Sequence, residues 1–110
     1  MAVSLLFYKA LAEETRLKSL LLLESQGELC VCDLMNALAL SQPKVSRHLA
    51  ELRKQALVVG ERRGKWMYYR INPDLPSWMK QVLSITLESN RELIAPLLVA
   101  IGAESSSCRT

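Results

Sequence analysis

The sequence lacks both the long apolar run of a membrane protein and the basic leader of an exported one. Its 110 residues contain no stretch near the roughly 20 apolar residues that cross a bilayer. The opening stretch MAVSLLFYKALAEETR is apolar at its start, but it has no basic region and no small-residue cleavage site. We therefore expect a cytoplasmic protein with no membrane partner. One domain is predicted at residues 1–103, followed by a flexible tail at 104–110.

Cysteine and histidine are both scarce. The cysteines are Cys30, Cys32 and Cys108, and an odd number in a reducing compartment argues against a disulfide framework. His48 is the single histidine, and no serine or cysteine stands with it in a recognisable catalytic arrangement. No structural metal is expected, because a zinc site with four ligands needs paired cysteine knuckles or further histidines.

Basic residues are concentrated in one part of the chain, although the formal net charge is only +3. Residues 41–70 hold eight basic side chains against two acidic ones, so the rest of the chain is net acidic. A basic segment in an acidic chain is typical of a face that binds a polyanion such as nucleic acid. A solvated basic surface explains the charge equally well, so the charge alone does not decide between them.

Hydrophobic periodicity predicts helices through the first half of the chain. Residues 5–11 form a short apolar helix, and AEETRLKSLLLLES forms an amphipathic one that ends at Gly27. Residues 31–55 are predicted to be a helix-turn-helix. Its second helix has Ser41 as a favourable N-cap and tolerates Pro43 in the first turn.

The second half of the chain predicts a hairpin and a final helix. Residues 57–71 are rich in Val, Tyr and Trp and form two strands joined at Arg63 and Gly64. Residues 77–101 form a helix that Pro96 kinks or divides. This helix carries more apolar surface than a small monomer needs to bury, which favours a homodimer. The fold class is therefore mainly α with a two-stranded β-hairpin, a homodimeric winged helix-turn-helix.

A winged helix inserts its second helix into the major groove and lays the hairpin along the DNA backbone. The inward stripe of that helix is predicted to comprise Val45, Leu49, Leu52 and Ala56. Arg47 lies on the outer face and suits guanine, Lys44 flanks that face and suits phosphate, and Gln42 near the start of the helix suits adenine. For His48, a partly buried structural role is favoured over a DNA contact. The full set of candidate DNA-contact residues is Ser41, Gln42, Lys44, Ser46, Arg47, His48, Arg62, Arg63 and Lys65.

The stretch GELCVCDL places two thiols where a helix begins. Cys30 stands at the N-cap position, with Asp33 in place of the capping-box acid, and Cys32 lies in the first turn. Thiols at a helix N-terminus have lowered pKa values, and thiolates are soft ligands. As(III) or Sb(III) is a soft ion that such a pair of thiolates can bind, and copper(I) is possible for the same reason. Since residues two apart diverge on a helix, binding both sulfurs to one atom is expected to distort or unwind the first turn.

The segments ETRLKSLLLL, GELCVCDL, SQPKVSRHLAELRKQALV and RRGKWMYYRI together resemble the ArsR/SmtB family, and specifically its arsenic-responsive repressors. The resemblance covers about residues 5–80. It implies a cytoplasmic homodimer, paired through its first and last helices, that binds double-stranded operator DNA with an inverted repeat. It also implies release from DNA when As(III) or Sb(III) binds Cys30 and Cys32.

Two departures from the family pattern concern the ligands. The best-known members have a third cysteine where this chain has Met35, whose neutral thioether is a poor substitute for thiolate. Cys108 is a further candidate ligand, although an unremarkable tail thiol is the favoured interpretation. Relatives that bind zinc through histidines of the last helix are no guide here, because residues 77–101 contain no histidine.

Two other functions are weighed against a metalloid-responsive repressor. The alternative is a DNA-binding regulator of the same fold with a different signal. It would respond either to oxidation of Cys30 or Cys32 or to another soft metal. A small thiol enzyme is not predicted, because ELCVCDLM lacks the glycines and arginines of an anion-binding loop.

Overall fold

The computed structural model describes the backbone of residues 2–109 and the side chains of residues 2–101. It confirms a mainly helical fold with a helix-turn-helix and a wing hairpin, and it adds a strand that the sequence did not predict. In chain order the elements are α1 (Val3–Leu11), α2 (Glu14–Gln26), β1 (Glu28–Cys30), α3 (Val31–Leu38), α4 (Gln42–Lys54), β2 (Val58–Arg63), β3 (Trp66–Ile71), α5 (Ser77–Ser89) and α6 (Arg91–Arg109).

Helix α2 is the centre of the hydrophobic core. Four consecutive leucines, Leu20 to Leu23, are fully buried, so this helix is apolar on all sides over more than one turn. Such a helix must be surrounded by other elements, and α1, α4, α5 and β3 all pack against it. Gly27 ends it with a φ of +86°, and the Gly27 N–H donates to the Leu23 carbonyl at 2.8 Å.

The sheet has three antiparallel strands in the order β1-β3-β2. The wing hairpin β2–β3 turns at Gly64, whose φ of +63° favours glycine. Within β2, Gly60 lies under the Tyr69 ring, where an added Cβ would stand 3.0 Å from Cε1. Strand β1 pairs with the opposite edge of β3, with Glu28 opposite Arg70 and Cys30 opposite Tyr68.

The predicted inward stripe of α4 was wrong at Ala56. Helix α4 ends at Lys54, and Ala56 is exposed with a φ of +60° instead of completing the inward stripe. The chain reverses there, and Leu57 fills the core in its place. The Asn72 side chain holds this reversal by donating from Nδ2 to the Ala56 carbonyl at 2.9 Å.

The predicted single C-terminal helix is two helices. The break falls at Asn90 and not at Pro96, which lies inside α6. Asn90 closes α5 by donating from Nδ2 to the Thr86 carbonyl at 2.8 Å, and its own carbonyl accepts from the Leu93 N–H at the start of α6. Helix α6 runs to Arg109, beyond the predicted end at residue 101.

Among the described residues, no helix combines the length and the apolar character that a bilayer crossing requires.

Candidate thiol site and nucleic-acid interface

Cys30 and Cys32 converge at the junction of β1 and α3. The structure joins their Sγ atoms in a disulfide bond, with the Cα atoms 5.4 Å apart, although the odd cysteine count argued against disulfides. The expectation that the sulfurs diverge was wrong, because Cys30 is not helical. It is the N-cap, with an extended backbone (φ −83°, ψ 163°), and only Cys32 belongs to the helix. Both sulfurs therefore reach one point without unwinding the first turn.

Asp33 completes a buried cluster with the two cysteines. As the sequence predicted, it forms the capping box, and its Oδ2 accepts the Cys30 N–H at 3.1 Å. The two sulfurs and a carboxylate oxygen of Asp33 all lie within 4.8 Å of one another. Cys30 and Asp33 are 0% exposed and Cys32 is 4% exposed, so the cluster is shielded from water. The side chain of Cys108 lies outside the described residues.

The predicted outer face of α4 is exposed as expected. Gln42, Lys44 and Arg47 lie at the surface, while Ser46 is half-buried. Val45, Leu49 and Leu52 hold the opposite face in the core. Ser41 is the N-cap residue, but its side chain makes no capping hydrogen bond. These polar groups of α4 can therefore approach a nucleic acid together.

His48 is turned toward α2. Its Nδ1 lies 3.6 Å from Oε2 of Glu13, and its side chain is 18% exposed. The same Glu13 carboxylate caps α2 by accepting the Arg16 N–H at 2.8 Å. Burial alone would raise the pKa of Glu13, but hydrogen bonds from the backbones of Arg16 and Thr15 and the nearby His48 bring that pKa below its usual value. This setting favours the structural interpretation of His48.

The three basic side chains at the tip of the wing differ in their surroundings. Arg62 and Lys65 are exposed, whereas the Arg63 guanidinium binds both oxygens of Glu28, at 2.7 and 2.8 Å, and Glu61 at 2.7 Å. The hydrogen bonds to Glu28 and then to Glu61 raise the pKa of Arg63, and Arg63 in turn lowers the pKa of Glu61. The guanidinium also lies 4.8 Å from the centre of the Tyr68 ring. Three of its donors are thus already engaged.

No local pattern in the sequence predicts the Glu28–Arg63 contact. The two residues are 35 positions apart, and only the unpredicted pairing of β1 with β3 brings them together. The signal for β1 was weak, because a three-residue strand is too short for alternation to stand out. Because β1 pairs with β3, the strand that ends at Cys30 and the wing hairpin belong to one sheet.

Comparison with known proteins assigns the fold and the family. The model for "Bacterial regulatory protein, arsR family" matches residues 13–59. The arsenic resistance transcriptional regulator ArsR2 of Pseudomonas putida is 52% identical over 80% of this chain and 76% of its own. The chain belongs to the arsR family.

Solved structures agree with this membership. HlyU from Vibrio cholerae superposes with a TM-score of 0.72 at 30% identity, over 80% of this chain and 91% of that one. The antimony-specific transcriptional repressor AntR gives a TM-score of 0.68 at 30% identity, over 82% of this chain and 78% of its own. The arsR family consists of DNA-binding transcriptional regulators, so the prediction that the chain is not an enzyme is confirmed.

Proposed function

We propose that this arsR-family protein is a metalloid-responsive transcriptional repressor. The ligand-free form binds operator DNA, and As(III) or Sb(III) binding to Cys30 and Cys32 releases it. The observation that carries the proposal is the convergence of two buried sulfurs at the start of the helix-turn-helix. Two close thiolates in a water-poor site bind a soft ion strongly. Two relatives are named as an arsenic resistance transcriptional regulator and an antimony-specific transcriptional repressor, which supports a metalloid as the ion.

The position of the thiols suggests how binding alters DNA contact. Cys30 is both the last residue of β1 and the N-cap of α3. Through β1 it is paired with Tyr68 of the wing, and α3 packs on α4. An ion that holds both sulfurs therefore acts on the wing and on the reading helix together. Negative coupling of the two ligands follows if the ion-bound geometry fits DNA less well.

A second copy of the chain is the proposed partner. Exposed apolar side chains are concentrated on the first helix and the last two, which is unusual for a surface that faces water. They are Val3, Leu5, Tyr8, Trp78, Ile85, Leu93 and Val99. A dimer that covers these helices would present two copies of α4, and an operator with an inverted repeat would match its two-fold axis.

The proposal is tested by titrating a protein–DNA complex with candidate inducers. The DNA is selected from a random pool by the purified, reduced protein, and binding is followed by fluorescence anisotropy. We expect As(III) and Sb(III) to release the DNA at concentrations at which Zn(II) and peroxide do not. Persistence of the complex at saturating As(III) and Sb(III) would disprove the proposal.

One observation favours a second function, that of a thiol redox sensor. Cys30 and Cys32 are joined as a disulfide in this structure, so the folded chain accommodates the oxidised form of the pair. Release of DNA by peroxide or persulfide, with no response to As(III), would replace the metalloid function by this one.

Lys44 and Lys65 are proposed as phosphate contacts from α4 and the wing. We expect each change to alanine to weaken binding evenly across DNA sequences. The slope of log K against log salt should fall by about 0.9 for each lost contact. Lys80→Ala, which removes an exposed charge from α5, is the matched control and should leave the slope unchanged. A changed base preference in either variant would mean that the lysine contacts a base and not a phosphate.

Glu28→Gln tests the role of Arg63. Because the neutral amide holds the guanidinium less firmly than the carboxylate does, we expect Arg63 to become available to phosphate. DNA affinity should rise and the salt slope should steepen by about 0.9. Glu24→Gln removes the same charge from α2 and should not steepen it. Weaker DNA binding by Glu28→Gln alone would mean that Glu28 positions Arg63 for DNA.

A further inference from the structure

We infer that Asp33 is the third donor of the metalloid site and that it selects a trivalent ion. The inference rests on the proposed function, because it assumes that Cys30 and Cys32 bind the ion. The capping role of Asp33 does not explain why its carboxylate lies beside the two sulfurs. The donor set is two thiolate sulfurs and one carboxylate oxygen.

The geometry of the cluster supports this donor set. One oxygen or sulfur from each of the three residues lies within 4.8 Å of the others, so small side-chain movements bring them around one ion. The Asp33 carboxylate is held in place because Oδ2 accepts the Cys30 N–H at 3.1 Å. A carboxylate has two oxygens and several acceptor positions, so it can keep this bond while it binds an ion. Met35, three residues after Cys32, has only a neutral thioether to offer.

Charge balance in a buried site gives the selectivity. Cys30, Cys32 and Asp33 are at most 4% exposed, and an uncompensated charge in such surroundings is costly. Two thiolates and a carboxylate carry three negative charges, which a trivalent ion neutralises. A divalent ion would leave one negative charge and copper(I) would leave two. Asp33 therefore favours As(III) and Sb(III) over ions that thiolates bind equally well.

The binding step balances without any change of oxidation state. Arsenite, As(OH)₃, loses three hydroxyl groups as two As–S bonds and one As–O bond form. The two thiol protons and one proton from solvent leave with the hydroxyls as three water molecules. Arsenic remains As(III), and the cysteines must be in the reduced form.

Isotope-edited infrared spectroscopy tests ligation by Asp33 directly. Asp33 and Asp74 are the aspartates of the chain, so Asp33 alone is labelled in Asp74→Asn protein made with ¹³C-carboxyl aspartate. We expect As(III) to change the separation of the labelled carboxylate stretching bands. Cys30→Ser should abolish that change. Unaltered bands in protein that has bound As(III) would overturn the inference.

The number of sulfurs is an independent readout. Arsenic X-ray absorption should give two sulfurs and one oxygen, both for the natural sequence and for Cys108→Ser. Three sulfurs, reduced to two by Cys108→Ser, would assign the third position to Cys108 and overturn the role of Asp33.

Selectivity is tested with Asp33→Asn. Its amide oxygen can still accept the Cys30 N–H, but the charge is lost. We expect the preference for As(III) over Cd(II) to fall at least about tenfold, since even indirect partners of a metal change affinity by about 10–100-fold. Asp33→Glu keeps the charge and the capping acid, and should restore most of the preference. An unchanged preference in folded Asp33→Asn would contradict the selective role.

The failures of the two proposals are distinguishable. If the natural protein does not bind As(III), or Cys30→Ser binds it as well, then the proposed function is wrong. If the cysteines are needed but the carboxylate bands do not change, only the role of Asp33 is wrong. The infrared test keeps Asp33 itself, so it stands even where Asp33→Asn fails to fold.

Discussion

Serine in place of Cys30 or Cys32 is expected to leave DNA binding near that of the natural protein and to abolish release by arsenite. Each variant retains one of two linked ligands, and losing the second binding event costs roughly 10²-fold or more in affinity. Cys30→Ser is the more informative, because serine is a favoured N-cap and keeps the start of α3 intact. The measurement is arsenite titration of the protein–DNA complex by fluorescence anisotropy.

Cys108→Ser is the matched control for these variants, since it removes a thiol by the same change. It is expected to respond to arsenite as the natural protein does. Circular dichroism and the affinity for DNA establish that each variant is folded. Normal release of both the Cys30 and the Cys32 variants would refute the site, whereas loss of DNA binding in Cys32→Ser alone would show only that this residue supports α3.

The winged helix-turn-helix could be predicted because its signals are local. A basic segment, an apolar stripe with a helical period and a glycine turn each depend on neighbours in the chain. Ala56 shows where this reasoning fails. Its spacing fits the stripe, but the chain reverses there with a φ of +60°. The Asn72 side chain, 16 positions further on, donates to the Ala56 carbonyl in this reversal, and no local pattern indicates such a contact.

The candidate site was predictable in its residues but not in its geometry. Cys30, Cys32 and the capping role of Asp33 followed from the order of residues at a helix start. The convergence of the sulfurs did not, because it requires Cys30 to be extended as part of β1. Strand β1 exists only through pairing with β3, some 40 residues further along the chain. The same pairing explains why Arg63 is bound by Glu28 and not simply exposed.

Arg47 on helix α4 is the residue at which we expect a large loss of DNA affinity. This side chain is exposed on the face opposite Val45, Leu49 and Leu52, and a guanidinium can donate two hydrogen bonds to guanine in the major groove. Arg47→Ala is therefore expected to weaken binding to the selected DNA by about 1–3 kcal/mol, or roughly 5–150-fold, with a smaller effect on random DNA. Competition binding with substituted half-sites measures the loss at each base pair.

Two further variants separate base reading from charge. Arg47→Lys keeps the positive charge but not the paired donors, so we expect its salt dependence to be preserved while discrimination at one base pair is lost. Arg53→Ala removes an equal charge from an exposed position at the other end of α4, and it should weaken all sequences alike. Equal loss of discrimination in the Arg53 and Arg47 variants would mean that α4 contributes charge and does not read bases through Arg47. Retained discrimination in Arg47→Lys would assign Arg47 to phosphate, because a point charge on a flexible stem cannot reproduce a bidentate contact.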